Sequence, residues 1–201
     1  MRPPDIAPML AGYGAPAGAL DGWSAEPKLD GWRAHVTIDH AVTVRTRGGH
    51  DLELPELAPL ADLGLRLIID GELVGGAGRM SDFYGVAPTV SMRRRTNRPR
   101  LSFAAFDVLW IDGSLTTGLP YEQRRQLLEQ LGLDGAASVV PRWVGEDAQA
   151  LLDACEMLDV EGVVLKRHGS TYTPGRRTTS WRKVKCSAWR EVHSSRRGPR
   201  R

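Results

Sequence analysis

At 201 residues, with 41% hydrophobic and 25% charged residues, the chain has the make-up of one folded domain with an ample core. No apolar run approaches membrane-spanning length, the start Met1-Arg2-Pro3-Pro4 lacks a secretory segment, and Cys155 and Cys186 show no metal-type spacing. These features exclude a disulfide scaffold and a zinc ribbon, and lead us to expect a reduced, cytoplasmic, monomeric protein without a membrane partner. The formal charge is +3, but residues 190–201 hold five arginines against one glutamate, so the remainder is near neutral.

In chain order, the segment up to Trp23 is rich in Pro, Gly and Ala and is expected to wrap the surface. Trp32 to Ile38 and Val42 to Thr46 read as two strands joined by a short turn at Asp39-His40-Ala41. Leu65 to Val74 contains a buried strand, and Gly75-Gly76-Ala77-Gly78 a loop. A helix over Asp82 to Met92 is interrupted by Gly85 and Pro88. The basic run from Arg93 to Arg100 is either a phosphate contact or a solvated loop. Leu101 to Ile111 reads as a buried strand closed by Asp112-Gly113. A helix from Tyr121 to Leu131 follows Pro120, groups Leu127, Leu128 and Leu131, and stops at Gly132. Val139 and Val140 suggest a short strand. A second helix over Asp147 to Leu158 spaces Leu151, Cys155 and Leu158 along one side. Two further strands complete an α+β domain of packed, mostly antiparallel sheets.

Chemistry concentrates in five segments. The first is Glu26-Pro27-Lys28-Leu29-Asp30-Gly31-Trp32-Arg33. A lysine becomes a covalent nucleophile when its surroundings suppress its charge. The bland alternative is a solvated lysine beside a hairpin Asp-Gly. The others are Asp70-Gly71-Glu72, Phe106-Asp107-Val108-Leu109, Glu161-Gly162-Val163-Val164-Leu165-Lys166 and Trp181-Arg182-Lys183-Val184-Lys185. In a strand, Trp181, Lys183 and Lys185 share a face, so two lysines are available to suppress charge on Lys28 and to neutralise a phosphate. Read alone, Lys183 and Lys185 are equally the solvent face of an edge strand. The histidines, His35, His40, His50, His168 and His193, show no metal-type pairing.

Taken in order, the five segments resemble the collinear nucleotidyltransferase motifs of ATP-dependent DNA ligases and their relatives, the RNA ligases and mRNA capping enzymes. Pro8-Met9-Leu10-Ala11 and Thr46-Arg47-Gly48-Gly49-His50-Asp51 resemble DNA ligases in particular, and the likeness runs from Pro8 to Lys185. It implies a nucleotidyltransferase (ATP-grasp-like) domain over residues 1–189, with packed sheets and flanking helices around a nucleotide cleft, and a disordered basic tail at 190–201. It implies a lysyl-AMP intermediate at Lys28, with Asp30 and Lys185 as further catalytic residues. Glu26 would lie near adenine and Phe106 would stack on it, plain core being the alternative for Phe106. Arg33 and Arg47 would contact the nucleotide sugar or the phosphate of nicked DNA, and Arg177, Lys183 and Lys185 nucleotide phosphate. Glu72 and Glu161 would lie near ribose and a Mg²⁺ or Mn²⁺ ion. The expected activity is strand sealing at nicked double-stranded DNA. Alternatives are an RNA ligase, a capping-type enzyme, or a non-catalytic nucleic-acid-binding module. Family members continue into an OB-fold domain with a sixth, basic motif, and too few residues follow Lys185 for such a barrel. An OB-fold polypeptide or another repair protein acting in trans is therefore an expected partner, and self-adenylation by the lone chain is expected to be impaired.

Overall fold

The computed structural model describes residues 2–76 and 100–187. The expected helix over 82–92, nearly all of the arginine run and the whole basic tail at 190–201 lie outside the described residues. The strands, in chain order, are β1 (Leu10–Tyr13), β2 (Trp23–Lys28), β3 (Trp32–Asp39), β4 (Ala41–Thr46), β5 (Asp51–Leu52) and β6 (Leu67–Gly75). They continue with β7 (Leu101–Ile111), β8 (Ser114–Leu115), β9 (Ala137–Val139), β10 (Trp143–Val144), β11 (Gly162–Arg167) and β12 (Arg177–Lys185). Two α-helices, α1 (Tyr121–Gln130) and α2 (Ala148–Met157), flank them, and a 3-10 segment spans Pro55–Leu63. None of the described helices is long and apolar enough to cross a membrane.

The strands form two sheets. The first runs β1-β12-β11-β2-β10, and the second β5-β4-β3-β6-β7-β8 with β9 beside β7. All pairings are antiparallel except β1 with β12 and β7 with β9. This is the α+β architecture of mostly antiparallel sheets that the sequence implies.

Alternation along the strands sorts the core. In the first sheet Ala25, Val163, Leu165 and Cys186 turn toward Ala148, Leu151 and Cys155 at the start and along one side of α2. In the second, Val36, Ile38, Leu67, Ile69, Phe103 and Val108 pack with Leu57 and Leu60 of the 3-10 segment and Leu128 of α1. A third cluster joins the sheets, with Ile68, Leu109 and Trp110 on one side and Trp181 on the other, closed by Met9 and Tyr172. Each fully buried aliphatic side chain here contributes about 1.5–3 kcal/mol. Cys155 and Cys186 are both buried, and neither forms a disulfide among the described residues.

The opening segment does more than wrap the surface. Leu10–Tyr13 is a strand paired with β12, and Trp23–Lys28 is a strand beside β11. Pro27 is tolerated because β10 pairs β2 only at Ser24 and Ala25, which leaves Pro27 at an edge. The Lys-x-Asp-Gly stretch is no hairpin. Leu29-Asp30-Gly31 carries the chain from β2 in one sheet to β3 in the other. Gly31 is required there, since a Cβ would sit 2.2 Å from the Leu73 carbonyl oxygen.

Candidate active site

Between the sheets lies a cleft of about 640 Å³. Strand register explains its floor. Gly162 of β11 stands between Lys28 of β2 and Lys185 of β12. Two residues along, Val164 stands between Glu26 and Lys183, and two further, Lys166 stands between Ser24 and Trp181. Positions two apart share a face, so Lys28, Glu26, Val164, Lys166, Trp181, Lys183 and Lys185 all line the cleft. The second sheet adds Arg33, its register partner Glu72, and Phe106. All eleven residues singled out from the sequence line this one cleft: Glu26, Lys28, Asp30, Arg33, Arg47, Glu72, Phe106, Glu161, Arg177, Lys183 and Lys185.

Lys28 makes a direct ion pair with one carboxylate oxygen of Glu161, and Lys185 reaches the other oxygen at 2.5 Å. Gly162 makes this possible. Its φ is 150°, and a Cβ would lie 2.1 Å from the Val184 carbonyl oxygen. Burial depresses the Lys185 ammonium below the usual lysine range, with the Lys28 and Lys183 charges adding to it and Glu161 opposing. Lys183 is depressed as well, chiefly by burial, with Tyr13 opposing and Lys28 and Arg177 reinforcing.

Beneath the floor lies a buried polar network that the sequence reading did not assign. Lys166, 1% exposed, pairs with Glu26 at 2.7 Å and donates to the Phe106 carbonyl at 3.0 Å. Its ammonium lies 4.6 Å from the Phe106 ring centroid and 4.3 Å from that of Trp181. Burial pushes this lysine below its usual range, against the charges of Glu26 and Asp107. Glu26 also accepts from the Tyr121 hydroxyl at 2.7 Å and from Arg125 at 3.2 Å. Glu26 thus borders the cleft with its carboxylate already engaged by three donors.

Arg33 is likewise committed. Its Nε and Nη2 donate to Asp70 at 2.9 and 2.6 Å, and its guanidinium carbon lies 5.2 Å from the Phe106 ring centroid. Asp70 also accepts from the Tyr172 hydroxyl at 2.7 Å. Arg47 and Arg177 are exposed at the rim, where Arg177 donates to the Ala11 carbonyl. Alternation along β11 was the available signal for Lys166. Nothing in hydropathy foretold that Arg124 and Arg125 would be buried, bound to Asp107 and Glu26 respectively.

Glu72 and Glu161 are the carboxylates expected to hold a metal ion. Among the described residues no cluster of three or more His, Cys, Asp or Glu side chains forms a protein-only metal site. The donor chemistry nevertheless fits a hard cation shared with substrate. Burial raises the Glu72 carboxyl to about 7, with Lys28 and Arg33 pulling it down less strongly. A desolvated carboxylate of this kind gains most from a bound cation.

This fold and cleft place the chain among the nucleotide-transferring ligases. The match to the family model described as the ATP dependent DNA ligase domain spans residues 8–185, and the chain belongs to that family. The multifunctional non-homologous end joining protein LigD of Mycolicibacterium smegmatis is 38% identical over 197 residues, covering 95% of this chain and 25% of that protein. A probable DNA ligase of Dictyoglomus thermophilum is 31% identical over 180 residues, covering 82% of this chain and 31% of that protein. The crystal structure of the ligase domain from M. tuberculosis LigD matches with a TM-score of 0.73 at 38% identity, over 90% of this chain and 59% of that one. A mycobacterial DNA ligase D complexed with ATP and MES matches with a TM-score of 0.71 at 36% identity, over 90% and 60%. The chain thus spans about a quarter to a third of the two full-length relatives and about three-fifths of the two ligase-domain structures.

Proposed function

We propose that the chain is the adenylating part of a DNA ligase. Lys28 attacks the α-phosphorus of ATP, the bond to the β-phosphate oxygen breaks, and pyrophosphate leaves. The lysyl-bound AMP then passes to the 5′-phosphate at a nick in double-stranded DNA. Attack by the 3′-hydroxyl seals the strand and releases AMP. The observation that carries this reading is the row Lys28–Gly162–Lys185, with the Glu161 carboxylate set against both amines.

Roles for the other residues follow from position. Lys185 and Lys183 carry positive charge toward the α-phosphate as negative charge builds on it. Phe106 supplies an apolar face for adenine, and the Glu26–Lys166 pair holds that ring from below. Arg47 and Arg177 meet phosphates at the rim, while Asp30 fixes the crossing that presents Lys28. A Mg²⁺ or Mn²⁺ ion, held by Glu72 and Glu161 together with substrate oxygens, would neutralise charge on the departing pyrophosphate. An OB-fold partner in trans would complete the cleft over the triphosphate.

Intact-mass measurement after incubation with ATP and Mg²⁺ tests the central step. An AMP adduct is expected on the wild-type chain and none on Lys28→Ala. An adduct of equal yield on Lys28→Ala would remove Lys28 from its role.

A further inference from the structure

Tyr13 stands outside the machinery described so far. It is 63% exposed, the most exposed aromatic among the described residues. An exposed side chain on a short edge strand is ordinarily loosely held. Tyr13 is instead fixed from several directions. The Arg182 guanidinium donates to the Tyr13 carbonyl, to Gly14 O at 2.8 Å and to Ala15 O at 3.5 Å. The Gly14 amide donates to Lys183 O at 3.0 Å. A register shift between Ala11 and Gly12 then sets Tyr13 directly opposite Lys183.

The ring's neighbours are two cations. The Lys183 ammonium lies 4.4 Å from its centroid and the Arg177 guanidinium carbon 5.0 Å. Both cations also line the cleft, and the exposed ring borders the cleft through them without lining it. Lys183 first, then Arg177, holds the phenol below its usual range, which reports a local positive field. An aromatic surface beside paired cations matches one repeating chemical unit: a base or sugar with its phosphate.

We propose that Tyr13, Lys183 and Arg177 form a nucleotide subsite at the cleft mouth that takes the DNA strand entering the cleft. A strand phosphate lies by the two cations, and the adjoining base or sugar rests on the exposed part of the phenol. The subsite rests on the reading that the cleft acts on DNA. It adds a stacking contact that holds the strand independently of charge.

The test is fluorescence anisotropy of a labelled nicked duplex with a 5′-phosphate, titrated with the 201-residue chain without ATP at several salt concentrations. Tyr13→Ala and Tyr13→Leu are each expected to weaken binding by roughly five- to thirty-fold, the effect of losing one base–aromatic stack. Tyr13→Trp and Tyr13→Phe should retain wild-type affinity. The ring carries no phosphate-neutralising charge, so the slope of log affinity against log salt should be unchanged in Tyr13→Leu. Unchanged affinity in Tyr13→Leu overturns the subsite, and so does a wild-type chain that fails to bind at low salt. A slope reduced by about one phosphate contact also overturns it, because the ring then serves only to present a cation. A protein that binds through Tyr13 yet forms no AMP adduct refutes the adenylation reading alone. Adduct formation without any Tyr13 effect removes the subsite alone.

Discussion

One carboxylate serves two amines at the centre of the cleft, and a second serves one lysine, one arginine and one phenol below it. The Glu161 group faces solvent-accessible lysines, whereas Glu26 and Lys166 are 2% and 1% exposed. Losing one hydrogen bond to a buried charged group costs about 1.5–3 kcal/mol. Lys166→Met is therefore expected to lower unfolding free energy by about that amount in urea titration, because Glu26 loses its 2.7 Å partner but keeps Arg125 and the Tyr121 hydroxyl. A midpoint equal to wild type would show the pair to be dispensable. The thiol of Cys155 makes a second residue-scale case. Burial pushes it up to about 11, against about 8.5 in an unfolded chain. The folded state thus holds this proton more tightly than the unfolded state. Its stabilisation is complete below about pH 8.5 and is lost as pH rises toward 11. Cys155→Ala should flatten that alkaline decline in thermal midpoint. Native protein at pH 8 should resist iodoacetamide, with both thiols reacting after denaturation; alkylation of Cys155 at equal rates in the two states would contradict its burial.

At the scale of elements, β11 is the piece on which the site turns. Val163 and Leu165 anchor it to α2, while Glu161, Val164 and Lys166 border the cleft. Gly162 lets β12 approach closely enough for Lys185 to share Glu161 with Lys28. Gly162→Ala places a Cβ against the Val184 carbonyl and strains a φ of 150°. Adduct formation should slow at least about tenfold, a barrier increase of roughly 1.4 kcal/mol, and the thermal midpoint should fall. A wild-type adduct rate would mean that β12 need not approach so closely. Much of this element plan was legible. β3, β4, β6 and β7 follow from apolar runs, and α1 and α2 match the expected helices to within a residue at each end, because Pro120, Gly132 and helical spacing mark them. β1 and β2 were hidden by Gly and Pro, whose strand role depends on which partner strand stops where. The eleven cleft residues were found through motif resemblance. Tyr121 and Arg125, which hold Glu26, were not, nor was Arg124 on Asp107, since an arginine saturated by carboxylates has the same letter as a solvated one.

For the whole molecule, the decisive relation is between a cleft built by two sheets and how much of a ligase the chain comprises. The third core cluster ties the two sheets together, and its Phe106 and Trp181 also line the cleft. The mouth differs: Arg47 and Arg177 are exposed there, and Lys183 rests against Tyr13. The match to the M. tuberculosis LigD ligase-domain structure takes in 90% of this chain and 59% of that one. AMP delivered already attached to DNA needs the floor and the rim, whereas ATP also needs its β- and γ-phosphates held while pyrophosphate departs. This chain should therefore seal a pre-adenylated nick faster than an ordinary nick supplied with ATP and Mg²⁺. Adding an OB-fold polypeptide in trans should raise the ATP-dependent rate and leave pre-adenylated sealing nearly unchanged. Rim arginines bind phosphate mainly through counterion release, so both rates at subsaturating DNA should fall steeply between about 50 and 200 mM salt. Gel analysis of labelled nicked duplexes, with and without a preformed 5′-adenylate, measures all of these. If the lone chain seals an ordinary nick with ATP as fast as a pre-adenylated one at 200 mM salt, these 201 residues hold the triphosphate unaided and the partner is unnecessary.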